Sequence, residues 1–218
     1  MSTSSSWVPA PVRRSASRGT FARYSGFSPK MRRRLNFSTR LEFLHWLLLE
    51  GTPEVTHLCE YYPEVKRESW SFVFDMWVRW KDGREECREV VTNWHYAGLV
   101  DFTPRPADWS YLSSWSREHG YACDLVTEQH LEPKMRRIQN WRRILPFVAH
   151  AMQNPDEDLQ QLILLRLVSA DLPLRELGRR HDPTQVTAAV AKLLHAGSIT
   201  ADLDHSHFGP DLVLRLAD

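Results

Sequence analysis

The 218-residue chain has no apolar run approaching the ~18 residues of a membrane span. Its first residues also lack the apolar core of a secretory signal. No membrane partner is expected. Cysteine is scarce: Cys59, Cys87 and Cys123 are odd in number and far apart. They offer neither a disulfide framework nor a metal-cluster spacing, and a reducing, cytoplasmic setting fits them best. Acid is missing from one end. Residues 1–40 carry nine Lys and Arg and no Asp or Glu, so of the 28 basic residues 19 remain against all 27 acidic ones, a net of −8. A basic arm on an acidic body suggests a polyanion or an acidic partner for the arm.

What is present centres on Trp70–Val91, WSFVFDMWVRWKDGREECREVV. Phe72, Phe74, Met76, Val78 and Trp80 alternate with Val73, Asp75, Trp77 and Arg79, so both faces are largely apolar and the strand is expected at a sheet centre. Asp82-Gly83 supplies the tight turn, and a second strand follows from Arg84 to Val91. Asp75 lies in one strand and Glu89 in its neighbour. A buried carboxylate is costly unless paired or bound to a cation, so the pair points to a shared divalent metal. Structural roles stand beside this: a core arginine for Asp75, solvent for Glu89.

Residues 1–34 read as a basic arm, rich in Ser, Arg, Pro and Gly. Arg32, Arg33 and Arg34 at its end are either phosphate contacts or a solvated charge run. Ser38 or Thr39 caps a helix to Glu50, stopped by Gly51. Glu42 in its first turn either serves the helix end or points to the Asp75/Glu89 strands. A strand spans Val55–Glu60, a loop Asn93–Asp108, a helix Trp109–His119 and a strand Ala122–Thr127. A long helix spans Pro133–Met152 with Pro146 as a possible kink; Arg136 and Arg137 lie on its basic face, a solvated surface or a second polyanion contact.

Three helices follow, Leu159–Val168, Pro173–Arg180 and Thr184–His195, then strands Ser198–Leu203 and Asp211–Leu216. That order is a winged-helix pattern over residues 151–218, whose third helix commonly enters the DNA major groove. Here the third helix offers only Gln185, Thr187, Lys192 and His195, and the wing carries Asp202, Asp204 and Asp211. Phosphates repel such a surface, so protein docking is the favoured use. His205 and His207 have a metal-pair spacing, but exposed loop histidines usually hold none.

The segments STRLEFLHWLLLEGTPEVTHLCEYYP, FDMWVRWKDG and WSREHGYACDLVTEQHLEPKMRRIQNW resemble, in order and spacing, TnsA, the endonuclease subunit of heteromeric bacterial transposases. The resemblance runs from about Leu35 to the end. It implies an α/β fold: a restriction-endonuclease-like, PD-(D/E)xK, core over residues 35–150 and a C-terminal winged helix. It also implies Mg²⁺ (or Mn²⁺) held by Glu42, Asp75 and Glu89, and cutting of the 5′ transposon ends beside a partner transposase and an AAA+ ATPase regulator. DNA is then the partner of Arg32, Arg33, Arg34, Arg136 and Arg137.

One position departs from the pattern. The family's (Glu/Gln)-x-Lys falls on Glu89-Val90-Val91, and valine cannot orient water or neutralise developing charge. Lys81, Arg79 and Arg88 are the nearest substitutes, none well placed. The expected alternatives are a degenerate pseudonuclease that docks partners and binds DNA, and a winged-helix transcription regulator.

Overall fold

Helix α1 (Arg40–Glu50) begins at Thr39, whose Oγ1 accepts the Glu42 N–H at 3.2 Å and so satisfies a donor left open at the helix start. It stops at Gly51, whose N–H closes on the Leu47 carbonyl at 3.1 Å. The structure, a computed structural model, describes residues 8–12, 24–67, 70–91, 106–178 and 181–217. These divide into two compact units: residues up to 26, 34–45 and 55–130 in the first, residues 27–33, 46–54 and 131–218 in the second. The boundary expected at 150 falls inside a helix, Met135–Gln153, that belongs whole to the second unit.

Residues 24–34 were expected in an arm without regular structure. They instead form β1 (Tyr24–Ser28) and the start of β2 (Arg33–Phe37), a two-stranded hairpin. Val12 is also held, its N–H donating to the Tyr61 carbonyl at 2.9 Å.

The first unit is built on a mixed sheet in the order β3-β6-β7-β8. Strand β3 (Val55–Glu60) follows α1; β4 (Glu64–Lys66) and β5 (Ser71–Val73) make a small separate ladder. Strand β6 (Met76–Trp80) runs antiparallel to β3 and to β7 (Glu85–Val90). Helix α2 (Pro106–Glu118) then returns the chain to β8 (Ala122–Val126), parallel to β7, as such a crossover requires. The expected central strand is β6, and the expected turn is made, with Gly83 at φ 85° and its N–H on the Trp80 carbonyl. The register sets Cys59 opposite Trp77, Trp77 opposite Cys87 and Cys87 opposite Cys123, a row across the sheet. Those side chains pack with Phe72, Phe74 and Leu112 as the core of this unit.

The continuous strand expected from Phe72 to Trp80 is broken at Phe74–Asp75. The Phe74 N–H donates to the Pro63 carbonyl and the Asp75 carbonyl accepts the Tyr61 N–H. Those backbone groups are satisfied by the 61–63 segment rather than by the ladder, so the strand divides without leaving them orphaned. Asp75 therefore stands at the head of β6. The loop expected over 93–108 lies mostly outside the described residues.

In the second unit, after α3 (Glu128–Leu131) and a 3₁₀ turn, helix α4 (Met135–Gln153) runs through Pro146. Helix α5 (Glu157–Ser169) starts at Asp156, whose carboxylate accepts the Leu159 N–H. Then come β9 (Leu172–Pro173), α6 (Leu174–Leu177), α7 (Pro183–Ala196), β10 (Ile199–Ala201) and β11 (Val213–Leu216). Asp182 caps α7 through the Thr184 and Gln185 N–H groups, with Pro183 at the first helical position. Gly197 ends it at φ 77°. The antiparallel sheet is ordered β10-β11-β9; the short β9, opposite Val213 and Leu214, was not foreseen. Val186, Val190, Leu193 and Leu194 of α7 are buried, as are Ile138, Ile144 and Val148 of α4. Among the described residues no helix is long and apolar enough to cross a membrane.

Candidate functional site

The carboxylates singled out by sequence all lie in the first unit and are buried: Glu42 and Asp75 at 4 % exposure, Glu89 at 7 %. Met76 pairs with Arg88, so the next step along each strand sets Asp75 level with Glu89. The Val90 N–H donates to Asp75 Oδ2 at 2.8 Å, tying the head of β6 to the end of β7. Alternation puts Glu89 on the face of Cys87 and Cys123, and burial, with the negative Asp124 and Glu89, raises the Cys123 thiol above its ordinary range.

Glu42 is bound from two directions. Its Oε2 accepts the N–H of Ser38, the residue before the Thr39 cap, at 3.0 Å, and the Tyr61 hydroxyl at 3.0 Å. Tyr61 thereby links two of the three acidic residues, its hydroxyl on the Glu42 carboxylate and its N–H on the Asp75 main-chain carbonyl. It holds φ 54°, a left-handed conformation costing an aromatic residue about 1–2 kcal/mol. Sequence reasoning gave Tyr61 no role beyond ending a strand. Glu60, Glu86 and His45 are also buried and were also missed. No spacing rule flags them; His45 and Glu86, for example, share Arg88 only once α1 meets the sheet.

The cations near the strands are committed elsewhere. Arg88 forks onto Glu86, with Nε at 2.9 Å and Nη2 at 2.5 Å, and Arg84 donates to the same carboxylate at 2.7 Å. Arg79 donates to Glu85 at 3.0 Å and lies over the Trp77 ring. Lys81 is exposed in the hairpin turn. Val91 is 2 % exposed, its N–H on the Val126 carbonyl at 2.8 Å. An all-oxygen donor set suits a hard divalent cation, which also takes water and phosphate ligands. Yet among the described residues no three His, Cys, Asp or Glu side chains are grouped to hold one.

The second unit has its own buried polar centre. Glu50 is fully buried at the end of α1 and accepts from Ser28 Oγ at 2.6 Å, Lys30 N at 2.9 Å, His195 Nε2 at 3.1 Å and Trp46 Nε1 at 3.3 Å. Burial pushes its carboxyl up. The hydrogen bonds of His195, Ser28 and the Lys30 N–H, with the charge of His195, more than reverse this and hold it below the ordinary range.

The basic residues differ in setting. Arg32 is exposed with φ 51° at the hairpin turn, and Arg34 donates to Ser25 at 2.9 Å. Arg136 reaches His207, and Arg137 pairs with Asp204 at 2.5 Å, so both turn to the segment between β10 and β11. His205 bonds Asp202 while His207 meets Arg136, so the two histidines face different partners. The chain matches no protein-family model and no curated protein.

Proposed function

We propose that the chain is a TnsA-like transposition subunit whose restriction-endonuclease-like unit serves as a scaffold and has lost strand cleavage. It binds transposon-end DNA through basic residues and docks a partner transposase or AAA+ regulator through a C-terminal winged helix. The observation carrying this reading is Val91. It fills the motif lysine's position as a buried, strand-paired apolar residue, while Arg79 and Arg88 are held by Glu85 and Glu86. Water activation and charge neutralisation then lack the cation they require. The order α5, β9, α6, α7, β10, β11 supports the winged-helix assignment. The exposed acids Asp202 and Asp211 and the engagement of Arg137 by Asp204 favour a protein over phosphates for its wing.

A second reading keeps the chemistry. Asp75 and Glu89, buried and level on adjacent strands, would hold Mg²⁺ or Mn²⁺ with Glu42 in a metal-dependent endonuclease. The test is 5′ nicking of labelled transposon ends by the full chain with its partner transposase, in each metal. The scaffold reading expects no nick from wild type, and transposition that still requires the chain. It expects Val91→Lys to gain cleavage only if the carboxylates have kept their register. A wild-type nick abolished by Asp75→Asn establishes the second reading instead.

A further inference from the structure

The hairpin turn of the second unit is more ordered than a charge run needs to be. Phe27–Arg33 reads Phe-Ser-Pro-Lys-Met-Arg-Arg, three cations and no acid in seven residues. Ser28 Oγ is both donor and acceptor: it donates to Glu50 Oε2 at 2.6 Å and accepts the Met31 N–H at 3.1 Å. The Lys30 N–H reaches Glu50 Oε1 at 2.9 Å, and Lys30 Nζ the Thr52 carbonyl at 3.1 Å. One buried carboxylate thus fixes the turn from below. Above it Arg32 is exposed in the left-handed region, where a side chain is kept only if its surroundings overdetermine it. Phe27, at the end of β1, leaves 42 % of its surface in water.

We propose that this tip is a preformed contact for the backbone of duplex DNA: Arg32 and Arg33 meet phosphates, Phe27 packs on the sugar or base edge beside them, and Glu50 is the positioning residue that holds the turn. Three features favour this ligand. A cationic segment without acid matches a polyanion and repels other basic surfaces. A two-stranded ribbon fits a DNA groove, and an exposed aromatic beside arginine is a common wedge or stacking group there. A turn fixed before binding avoids the entropy of ordering a flexible arm. The inference rests on the DNA-binding part of the reading above and names the element that performs it.

The experiment is fluorescence anisotropy of the full chain with a labelled duplex of arbitrary sequence, titrated between about 50 and 200 mM salt. The double variant Arg32→Gln, Arg33→Gln should weaken binding several-fold and lower the slope of log K against log salt by about 0.9 for each phosphate no longer neutralised. Phe27→Ala should weaken binding with the slope unchanged. Glu50→Gln should lower the slope although it removes no cation, and Arg32→Gln should then add little. If Glu50→Gln does not fold, the three surface substitutions carry the test. Wild type that ignores duplex overturns the DNA reading and this inference together. Wild type that binds with an ordinary salt slope, unaltered by the tip variants, overturns the tip assignment alone. Tip-dependent binding of an acidic peptide in preference to duplex overturns the choice of ligand.

Discussion

Replacing Glu50 with alanine should cost the second unit about 3–5 kcal/mol, the range for deleting one partner of a buried, hydrogen-bonded charge cluster. Four donors converge on this carboxylate at 2.6–3.3 Å, from the hairpin turn, α1 and α7. Charge-assisted bonds are worth roughly 1.5–3 kcal/mol each, but the turn can recover water once freed, so their full sum is not realised. Glu50→Gln should cost less, about 1–3 kcal/mol, because every partner is a donor and the amide NH₂ must face one of them. The pH dependence has a fixed sign. The folded carboxyl titrates below its ordinary value of 4.5, so its stabilisation is complete above that value and is lost as pH falls through the folded pKa. Both variants should therefore show a flatter loss of stability in acid than wild type. Urea unfolding followed by tryptophan fluorescence, at neutral and acid pH, reads both effects. The transition of each unit must be fitted separately, since two units need not unfold as one. A Glu50→Ala variant within about 1 kcal/mol of wild type would refute the reasoning, as would an unchanged acid slope.

Asn140 donates to the Leu203 and Ser206 carbonyls and accepts the Phe208 N–H, so Asn140→Ala should destabilise by about 2–4 kcal/mol and release the Phe208 amide to hydrogen exchange. At Gly197 a Cβ would lie 2.7 Å from the Pro53 Cβ at φ 77°, so Gly197→Ala should lower the melting temperature by more than an exposed glycine substitution, roughly 1 kcal/mol or above. Burial, then the neighbouring Cys123 and Glu85, pushes the Cys87 thiol far up. Cys87 should resist alkylation in native protein at mildly alkaline pH and react at once in denaturant, as peptide mass spectrometry would report.

The hairpin and its neighbours were legible because short-range signals decide them. Gly83 supplies the left-handed residue of the turn, Thr39 caps its helix, and Gly51 and Gly197 end theirs. Where a long-range partner decides, the sequence misled. Phe72–Trp80 alternates like one strand, yet Pro63 and Tyr61 capture the backbone at Phe74 and Asp75 and divide it. The cationic stretch before Arg34 has the composition of a loose arm, yet a single glutamate distant in sequence fixes its turn. Strand β9, two residues long and containing a proline, has no periodicity to read and is defined only by β11.

The site was legible in its acids and not in their commitments. Burial of Asp75 and Glu42 follows from their apolar neighbours, but the partners that tolerate that burial come from Val90, Tyr61 and Ser38. On the scaffold reading, Val91 decides what such a site can still do. It shares a strand face with Glu89, two residues away, where a lysine would bring its ammonium beside that carboxylate. If the surroundings have closed on the smaller side chain, Val91→Lys buries a cation at a 2 % exposed position and should cost several kcal/mol more than Val91→Met, an apolar control of similar length. If an acidic pocket persists, the pair is satisfied and the two variants should melt together. The scaffold reading expects the first result; equal stability of the two variants would mean that one substitution separates this chain from a complete lysine–carboxylate site.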